Sequence, residues 1–167
     1  MGVSAPRPIS DTHDVAAFDC GQASLNDWLQ KRAIKNEKNG ASRTFVVCND
    51  NAVVGYYSLA VGAVAREEVS GKVSRNMPEP IPVMVLGRLA VDNQWQGKQI
   101  GAGMLKDAIQ RTLIVAEQAG IRALLVHALS DGAKSFYQHW GFHESPTNDM
   151  TLMITLDEAR KAIAPEI

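Results

Sequence analysis

The first candidate for a functional site is a glycine-rich stretch, Q-G-K-Q-I-G-A, at residues 96–102. An apolar run precedes it and an amphipathic run follows it, which predicts a turn from a buried strand into a helix. The first N–H groups of a helix lack intrahelical acceptors and lie at the positive end of the helix dipole, so such a turn can hold a phosphate. A plain turn is the alternative, because short glycine motifs are weakly specific. The spacing fits neither G-x-G-x-x-G nor a Walker A loop.

A tyrosine lies in the second candidate motif, A-K-S-F-Y-Q-H-W-G-F, at residues 133–142. A phenol beside a departing atom can protonate it as a general acid, which typically contributes about 10²- to 10⁴-fold in rate. The alternative is that Tyr137 is an amphipathic helix residue with a solvated hydroxyl. No side chain is identified as a general base, since His127 lies in an apolar strand where a structural role is expected. The other histidines show no ligand spacing, so no metal site is predicted.

A row of cations is the third feature. Lys31, Lys35 and Lys38 are spaced four and three residues apart, so they share one face of a predicted helix. Such a local patch can bind the phosphates of a nucleic acid although the net charge of the chain is only −1. The alternative is a solvated helix face. Other basic residues close in sequence are Arg32, Arg43, Lys72 and Arg75.

Length and composition indicate one globular domain covering residues 1–167, with 46% hydrophobic and 21% charged residues. Cys20 and Cys48 are the only cysteines and form no C-x-x-C pair, which favours a reducing, cytoplasmic setting without a disulfide framework. The first ten residues lack the apolar region of a signal peptide. No apolar run reaches the length that spans a membrane.

The helices and strands that must position these motifs are predicted to be interspersed along the chain. A helix is predicted over residues 24–40, opened by a capping box of Ser24 and Asp27, and a hairpin follows. The strand at residues 83–92 is apolar on both faces except for Arg88, which predicts a central position in a sheet. The order favours an α/β fold with a mixed central sheet, a β-α-β core and flanking helices. Other predicted strands cover residues 43–49, 52–64, 121–129 and 150–156, helices cover 103–120, 131–140 and a segment from Asp157, and a long loop covers 66–82.

The two motifs together resemble those of the GNAT acyltransferases, whose glycine loop reads roughly Gln/Arg-Gly-x-Gly-x-Gly/Ala. Ala133, Phe136 and Tyr137 match the family pattern A-x-x-[FL]-Y, and Gly141-Phe142 follows. The resemblance implies that acetyl-CoA is the cosubstrate, that loop N–H groups hold its pyrophosphate, and that Tyr137 protonates the departing thiolate. It assigns cofactor binding to Leu89, Ala90, Val91, Gln96, Gly97, Lys98, Gln99, Ile100, Gly101, Ala102, Ser130 and Phe136.

Two positions depart from this family pattern. Gln99 stands where the family carries glycine, and Ser130 stands where it often carries asparagine. The pyrophosphate contact is made by backbone N–H groups, so we expect the cradle to survive with the Gln99 side chain pointing outward and a negative φ. Ser130 predicts a difference in one cofactor hydrogen bond.

Other segments resemble a narrower group, the acetyltransferase toxins of bacterial type II toxin–antitoxin modules (the TacT, KacT and AtaT group). They include G-A-S-R-T-F-V-V at residues 40–47 and R-N-M-P-E-P-I-P-V at residues 75–83. The resemblance implies acetylation of the α-amine of aminoacyl-tRNA, which blocks translation, and a homodimer. It also implies a ribbon-helix-helix antitoxin, through which alone the toxin meets DNA. The residues assigned to tRNA binding are Lys31, Arg32, Lys35, Lys38, Arg43 and Arg75.

Two alternatives stay open at this point. One is a GNAT enzyme that acetylates a small molecule or a protein amine, and the other is a degenerate acyl-CoA-binding module without catalysis. Gln99 and Ser130 are the features that favour the second alternative.

Overall fold

A computed structural model describes residues 2–164 and contains seven strands and six α-helices in that range. The strands are β1 (Arg7–Pro8), β2 (Arg43–Asn49), β3 (Ala52–Val64), β4 (Ile81–Val91), β5 (Ala123–His127), β6 (His143–Glu144) and β7 (Thr151–Thr155). The helices are α1 (Ala23–Lys31), α2 (Ala33–Asn39), α3 (Gly71–Ser74), α4 (Ile100–Ala116), α5 (Asp131–His139) and α6 (Leu156–Ile163). No helix within residues 2–164 is both long enough and apolar enough to cross a membrane.

The strands form one mixed sheet in the order β1-β2-β3-β4-β5-β7-β6. The predicted hairpin is confirmed, because β2 and β3 pair antiparallel with Phe45 opposite Tyr57. The predicted β-α-β core is also confirmed, since β4 and β5 pair in parallel and α4 lies between them in the chain. Strands β5 and β6 each pair antiparallel with β7.

The chain divides into two compact units, and strands β3 and β4 each run through both. The first unit contains residues up to 60 together with 87–108, and the second contains residues 61–86 together with those from 109 onward. The first unit carries the glycine-rich stretch, and the second carries Tyr137. A single domain over residues 1–167 stays a prediction.

Aromatic packing builds the core of the first unit. Tyr56 is fully buried and its hydroxyl donates a hydrogen bond to the backbone oxygen of Leu25 at 2.6 Å. The ring of Trp28 is stacked on Tyr56 with centroids 5.9 Å apart, and Phe18 meets Tyr56 edge-on at 5.5 Å. The predicted apolar face of the first helix is confirmed, since Leu25, Trp28, Leu29 and Ala33 are all buried.

Two predictions for the first helix are wrong. The capping box of Ser24 and Asp27 is absent, because the helix begins earlier, at Ala23, after Gln22. One continuous helix over residues 24–40 is also wrong, because the backbone of Arg32 leaves the helical region at φ −122° and separates α1 from α2. No glycine or proline marks this break, so the sequence holds no local signal for it.

The second unit has its own apolar cluster. The loop predicted over residues 66–82 contains a 3₁₀ turn at Arg66–Glu68 and helix α3. Val69 and Val73 are buried there and bring the segment onto the sheet. The cluster is completed by Ile81, Val83, Ala123, Leu125 and Met153.

Candidate active site

The glycine-rich stretch of the first unit is anchored where β4 ends. Asp92 accepts hydrogen bonds through one carboxylate oxygen from the N–H of Gln94 at 2.9 Å and through the other from the N–H of Asp19 at 3.0 Å. The side-chain amide of Gln96 donates to the backbone oxygen of Val91 at 3.1 Å. These bonds set the direction in which the chain leaves the strand.

Helix α4 begins at Ile100, three residues earlier than predicted, so Gly101 and Gly103 lie inside the helix. Gly97 and Gln99 both adopt left-handed backbone conformations, with φ +78° and +68°. The expectation of a negative φ at Gln99 is therefore wrong. A non-glycine residue in such a conformation costs on the order of 1 kcal/mol or more, and such residues cluster at binding sites.

The backbone N–H groups of residues 97–101 donate to no acceptor within residues 2–164. They form a row at the N-terminus of a helix of 17 residues, where the helix dipole is positive. Lys98 is exposed beside this row, and its ammonium lies 6.0 Å from the centroid of the Trp95 ring. These backbone N–H donors and the positive charge of the Lys98 ammonium suit the negatively charged pyrophosphate of coenzyme A.

Close packing on β3 holds helix α4 in place within the first unit. A Cβ at Gly55 would lie 3.1 Å from Met104 Cε and 3.2 Å from Ile100 Cγ2, so the helix approaches the strand as closely as glycine permits. The hydroxyl of Tyr57 donates to Asp107 Oδ2 at 2.5 Å. The N–H row is therefore fixed by the fold before any ligand binds.

The strand segment assigned to the pantetheine arm, residues 89–91, precedes this loop. Ala90 is buried against the aromatic core, whereas Leu89 and Val91 are half-buried. The parallel register between β4 and β5 covers Val83 to Leu86, so residues 89–91 lie beyond it.

In the second unit, Ser130 caps the helix that carries the tyrosine. Its hydroxyl oxygen accepts a hydrogen bond from the N–H of Ala133 at 3.1 Å. This bond explains why α5 begins at Asp131, since a serine N-cap satisfies one of the free N–H groups of the first turn. The hydroxyl proton of Ser130 remains available to a ligand.

Tyr137 lies on α5 with only 6% of its surface exposed. Its ring contacts Phe136 and Phe142, at centroid distances of 5.3 and 5.4 Å. Burial raises the pKa of its phenol well above the usual value of 10, so the group is protonated at neutral pH. Its hydroxyl has no hydrogen-bond partner within residues 2–164, which leaves the proton free for a ligand.

The structure also accounts for the histidine considered as a general base. His127 Nδ1 lies 2.9 Å from the hydroxyl oxygen of Thr151 on the neighbouring strand, and the two form a hydrogen bond. This partner supports the structural role expected from the sequence. Among the described residues, no group of histidines, cysteines and acids is arranged to hold a metal ion.

Three of the predicted RNA-binding cations have acidic partners. Lys31 lies 3.7 Å from Asp27, and Lys38 lies 3.3 Å from Asp11. Arg43 pairs with the carboxylate of Glu37 at 2.7 Å, which joins the end of α2 to β2. Arg32 and Lys35 are exposed and make no ion pair within residues 2–164.

Arg75, the remaining predicted RNA-binding residue, belongs to the second unit. It is exposed and lines a cavity of about 390 Å³. The cavity has a mixed charge, because its other ionisable residues are Lys72, Arg122, Asp157, Glu158 and Arg160.

Sequence reasoning assigned no role to Arg88. Its guanidinium carbon lies 4.2 Å from the centroid of the Trp28 ring, and its side chain is half-buried. The sequence did contain a feature that could have pointed to a role for Arg88, since it is the one charged residue within an otherwise apolar strand.

Comparison with known proteins identifies the family of this chain. Residues 40–144 match the acetyltransferase (GNAT) domain family. The chain is 51% identical over 162 residues to a tRNA-acetylating toxin of Mycobacterium tuberculosis, covering 97% of this chain and 98% of that protein. These matches confirm the predicted resemblance and the mixed α/β fold.

Two solved structures are similar over nearly the whole chain. AtaT complexed with acetyl-methionyl-tRNAfMet has a TM-score of 0.88 and 26% identity, with 98% of this chain and all of that chain covered. An AtaT variant bound to the C-terminus of the antitoxin AtaR and to acetyl-CoA has a TM-score of 0.83 and 26% identity, with 96% and 97% covered.

Proposed function

Because this chain belongs to the GNAT acetyltransferase family, we propose that it transfers an acetyl group from acetyl-CoA to the α-amine of aminoacyl-tRNA and thereby blocks translation. The observation that carries the proposal is the 51% identity to a tRNA-acetylating toxin along almost the full length of both chains. The similarity to AtaT bound to an acetylated aminoacyl-tRNA supports the same substrate.

The residues of the first unit bind and orient the cosubstrate. The N–H groups of residues 97–101 and the ammonium of Lys98 supply donors and positive charge for the pyrophosphate. The backbone of residues 89–91 is assigned to the pantetheine arm. When bound, acetyl-CoA supplies a thioester whose carbonyl carbon accepts the amine while the carbon–sulfur bond breaks.

Tyr137 supplies the proton that the departing sulfur requires. A general acid must be protonated when the thiolate forms, and the raised pKa of the phenol keeps it so. Its hydroxyl is not engaged by another residue of the described chain, so proton donation breaks no existing hydrogen bond. No residue is identified as a general base, so either water accepts the proton that the amine loses or the amine arrives neutral.

The partners follow from the same relatives. An antitoxin that neutralises the enzyme is proposed because a structurally similar toxin is bound to the C-terminus of its antitoxin. A ribbon-helix-helix fold for that antitoxin, DNA contact through it alone, a homodimeric toxin and a cytoplasmic location belong to the same proposal.

The test uses labelled acetyl-CoA with total tRNA, aminoacylated in one reaction and deacylated in the other. Label on the charged pool alone is the expected result, and Tyr137→Phe is expected to reduce it strongly. Equal labelling of both pools would contradict the α-amine as acceptor.

A small-molecule or protein amine is the second candidate acceptor. The ion pairs of Lys31, Lys38 and Arg43 favour it, since those cations already have acidic partners. The pairs of Lys31 and Lys38 are exposed, however, and exposed pairs contribute only about 0–1 kcal/mol, so a phosphate can displace the acid. Label transferred to amines but never to charged tRNA would establish this second candidate.

A further inference from the structure

Arg88 is a half-buried cation of the first unit with no carboxylate partner within residues 2–164. Its guanidinium lies over the indole ring of Trp28, which is itself 8% exposed and stacked on Tyr56. Arg88 is on β4, immediately before the segment assigned to pantetheine. The position of the Arg88 side chain is therefore set by its stacking on Trp28 and by its place on β4, and not by an ion pair with a carboxylate.

No hydrogen bond or ion pair joins the Arg88 guanidinium to any group within residues 2–164. The hydroxyl of Tyr56, on whose ring Trp28 is stacked, already donates its proton to the backbone oxygen of Leu25 and so offers Arg88 no ion pair. An arginine offers five N–H donors in a rigid planar fork. All five are left for a ligand or for water.

A half-buried cation without a counter-ion destabilises the fold, because burial removes water and nothing replaces it. The cation–π contact with Trp28 offsets only part of this loss, because the ring supplies no hydrogen-bond acceptor in the plane of the guanidinium. Charges kept in such surroundings are candidates for function. A phosphate diester fits best, because the planar fork binds two of its oxygens at once.

The side chain of Arg88 contacts helix α1 through Trp28. Residues two apart on a strand share a face, so Arg88 lies on the same face of β4 as Ala90, which packs against Trp28 and Tyr56. Trp28 belongs to α1, and Lys31 lies one helical turn further along the same helix. Arg32, which makes no ion pair within residues 2–164, follows directly. Two basic residues, Lys31 at the end of α1 and Arg32 just after it, thus lie about one helical turn beyond the residue on which Arg88 is stacked.

We propose that Arg88, oriented by Trp28, binds a phosphate of the nucleic-acid acceptor. This inference rests on the proposed function, because it names a residue that recognises the tRNA in that reaction. Arg88 sets the affinity for the acceptor and takes no part in holding acetyl-CoA.

The central experiment compares the wild type with Arg88→Gln. The KM for aminoacyl-tRNA should rise about 10-fold or more, as expected for the loss of a charged hydrogen-bonded contact. The Kd for acetyl-CoA should stay unchanged. The slope of log K against log salt for binding of deacylated tRNA should become shallower by about 0.7–0.9, the value for one phosphate contact.

Three further variants separate the possible causes. Arg88→Lys keeps the positive charge but loses the planar guanidinium that binds two phosphate oxygens at once. The slope of log K against log salt for tRNA binding should therefore stay unchanged, while the KM for aminoacyl-tRNA rises. Arg88→Met should leave the thermal midpoint equal or higher, because it removes an unpaired charge. Arg160→Gln removes one cation that is paired with Asp157 at 2.9 Å, and it should leave the KM for aminoacyl-tRNA unchanged.

The outcomes distinguish this inference from the proposed function. If the wild type acetylates charged tRNA but Arg88→Gln binds tRNA with an unchanged salt slope, Arg88 has no phosphate contact and the inference is wrong. A higher Kd for acetyl-CoA, or a lower thermal midpoint in Arg88→Met, would also overturn it. If the wild type acetylates no tRNA and Arg88→Gln still weakens tRNA binding, the proposed function fails and Arg88 remains a phosphate ligand.

Discussion

The phenol of Tyr57 donates a hydrogen bond to the carboxylate of Asp107 at 2.5 Å, and this bond ties β3 to the middle of α4. Tyr57 is fully buried, with its ring stacked on Phe45 at a centroid distance of 5.1 Å. The strand side of the bond is therefore rigid. The helix that it holds begins with the N–H row assigned to the pyrophosphate, so a core contact fixes the geometry of the binding loop.

Tyr57→Phe should lower the free energy of unfolding by about 1–3 kcal/mol, because it leaves the Asp107 carboxylate without its phenol donor. Urea unfolding measures the change. Tyr137→Phe is the matched control, since its hydroxyl has no partner within residues 2–164 and its removal should change stability little. Equal losses in the two variants would show that the Tyr57–Asp107 bond contributes nothing.

Gln99→Gly should stabilise the protein by on the order of 1 kcal/mol, because glycine adopts a φ of +68° without strain. Gln94→Gly is the control, since Gln94 is not among the residues with positive φ and glycine there should only weaken the fold. Thermal unfolding of both variants measures the effect. A destabilised Gln99→Gly would mean that the glutamine side chain makes a contact that outweighs the strain.

Tyr137→Phe should lower kcat by about 100-fold or more while the Kd for acetyl-CoA stays unchanged. Burial raises the pKa of this phenol, so the acid form persists and kcat should not fall with rising pH until the pH exceeds about 10. Steady-state kinetics across pH, with isothermal titration of acetyl-CoA, test both statements. A basic limb near pH 8 that disappears in Tyr137→Phe would contradict the raised pKa.

Asp27→Asn should tighten the binding of tRNA several-fold, because it frees Lys31 from a carboxylate 3.7 Å away. The pair is surface-exposed, with 70% of the lysine side chain accessible, so stability should change by less than about 0.5 kcal/mol. Filter binding at several salt concentrations measures the affinity. Asp157→Asn, which frees Arg160 on α6, is the control and should leave the affinity unchanged. If Asp27→Asn has no effect either, Lys31 does not contact the RNA.

The sequence predicted most of the elements because their hydrophobic periods are clear. The hairpin strands β2 and β3 were confirmed with the predicted bounds, and the apolar strand around Arg88 begins two residues earlier and ends one residue earlier than predicted. The left-handed backbone at Gln99 was not predicted, because the turn into α4 imposes it against the preference of the residue itself. The stacking of Arg88 on Trp28 joins positions 60 residues apart, and no local pattern encodes such a contact.

The row of N–H groups at residues 97–101 also shapes how the protein responds to its medium. Five N–H groups that donate to no acceptor within residues 2–164 leave positive partial charges close together in one loop, and like charges repel. Any small oxyanion relieves that repulsion and stabilises the native state by mass action. If the loop holds the pyrophosphate as proposed, sulfate and inorganic phosphate should compete with the cosubstrate, lowering its apparent affinity while raising the melting temperature.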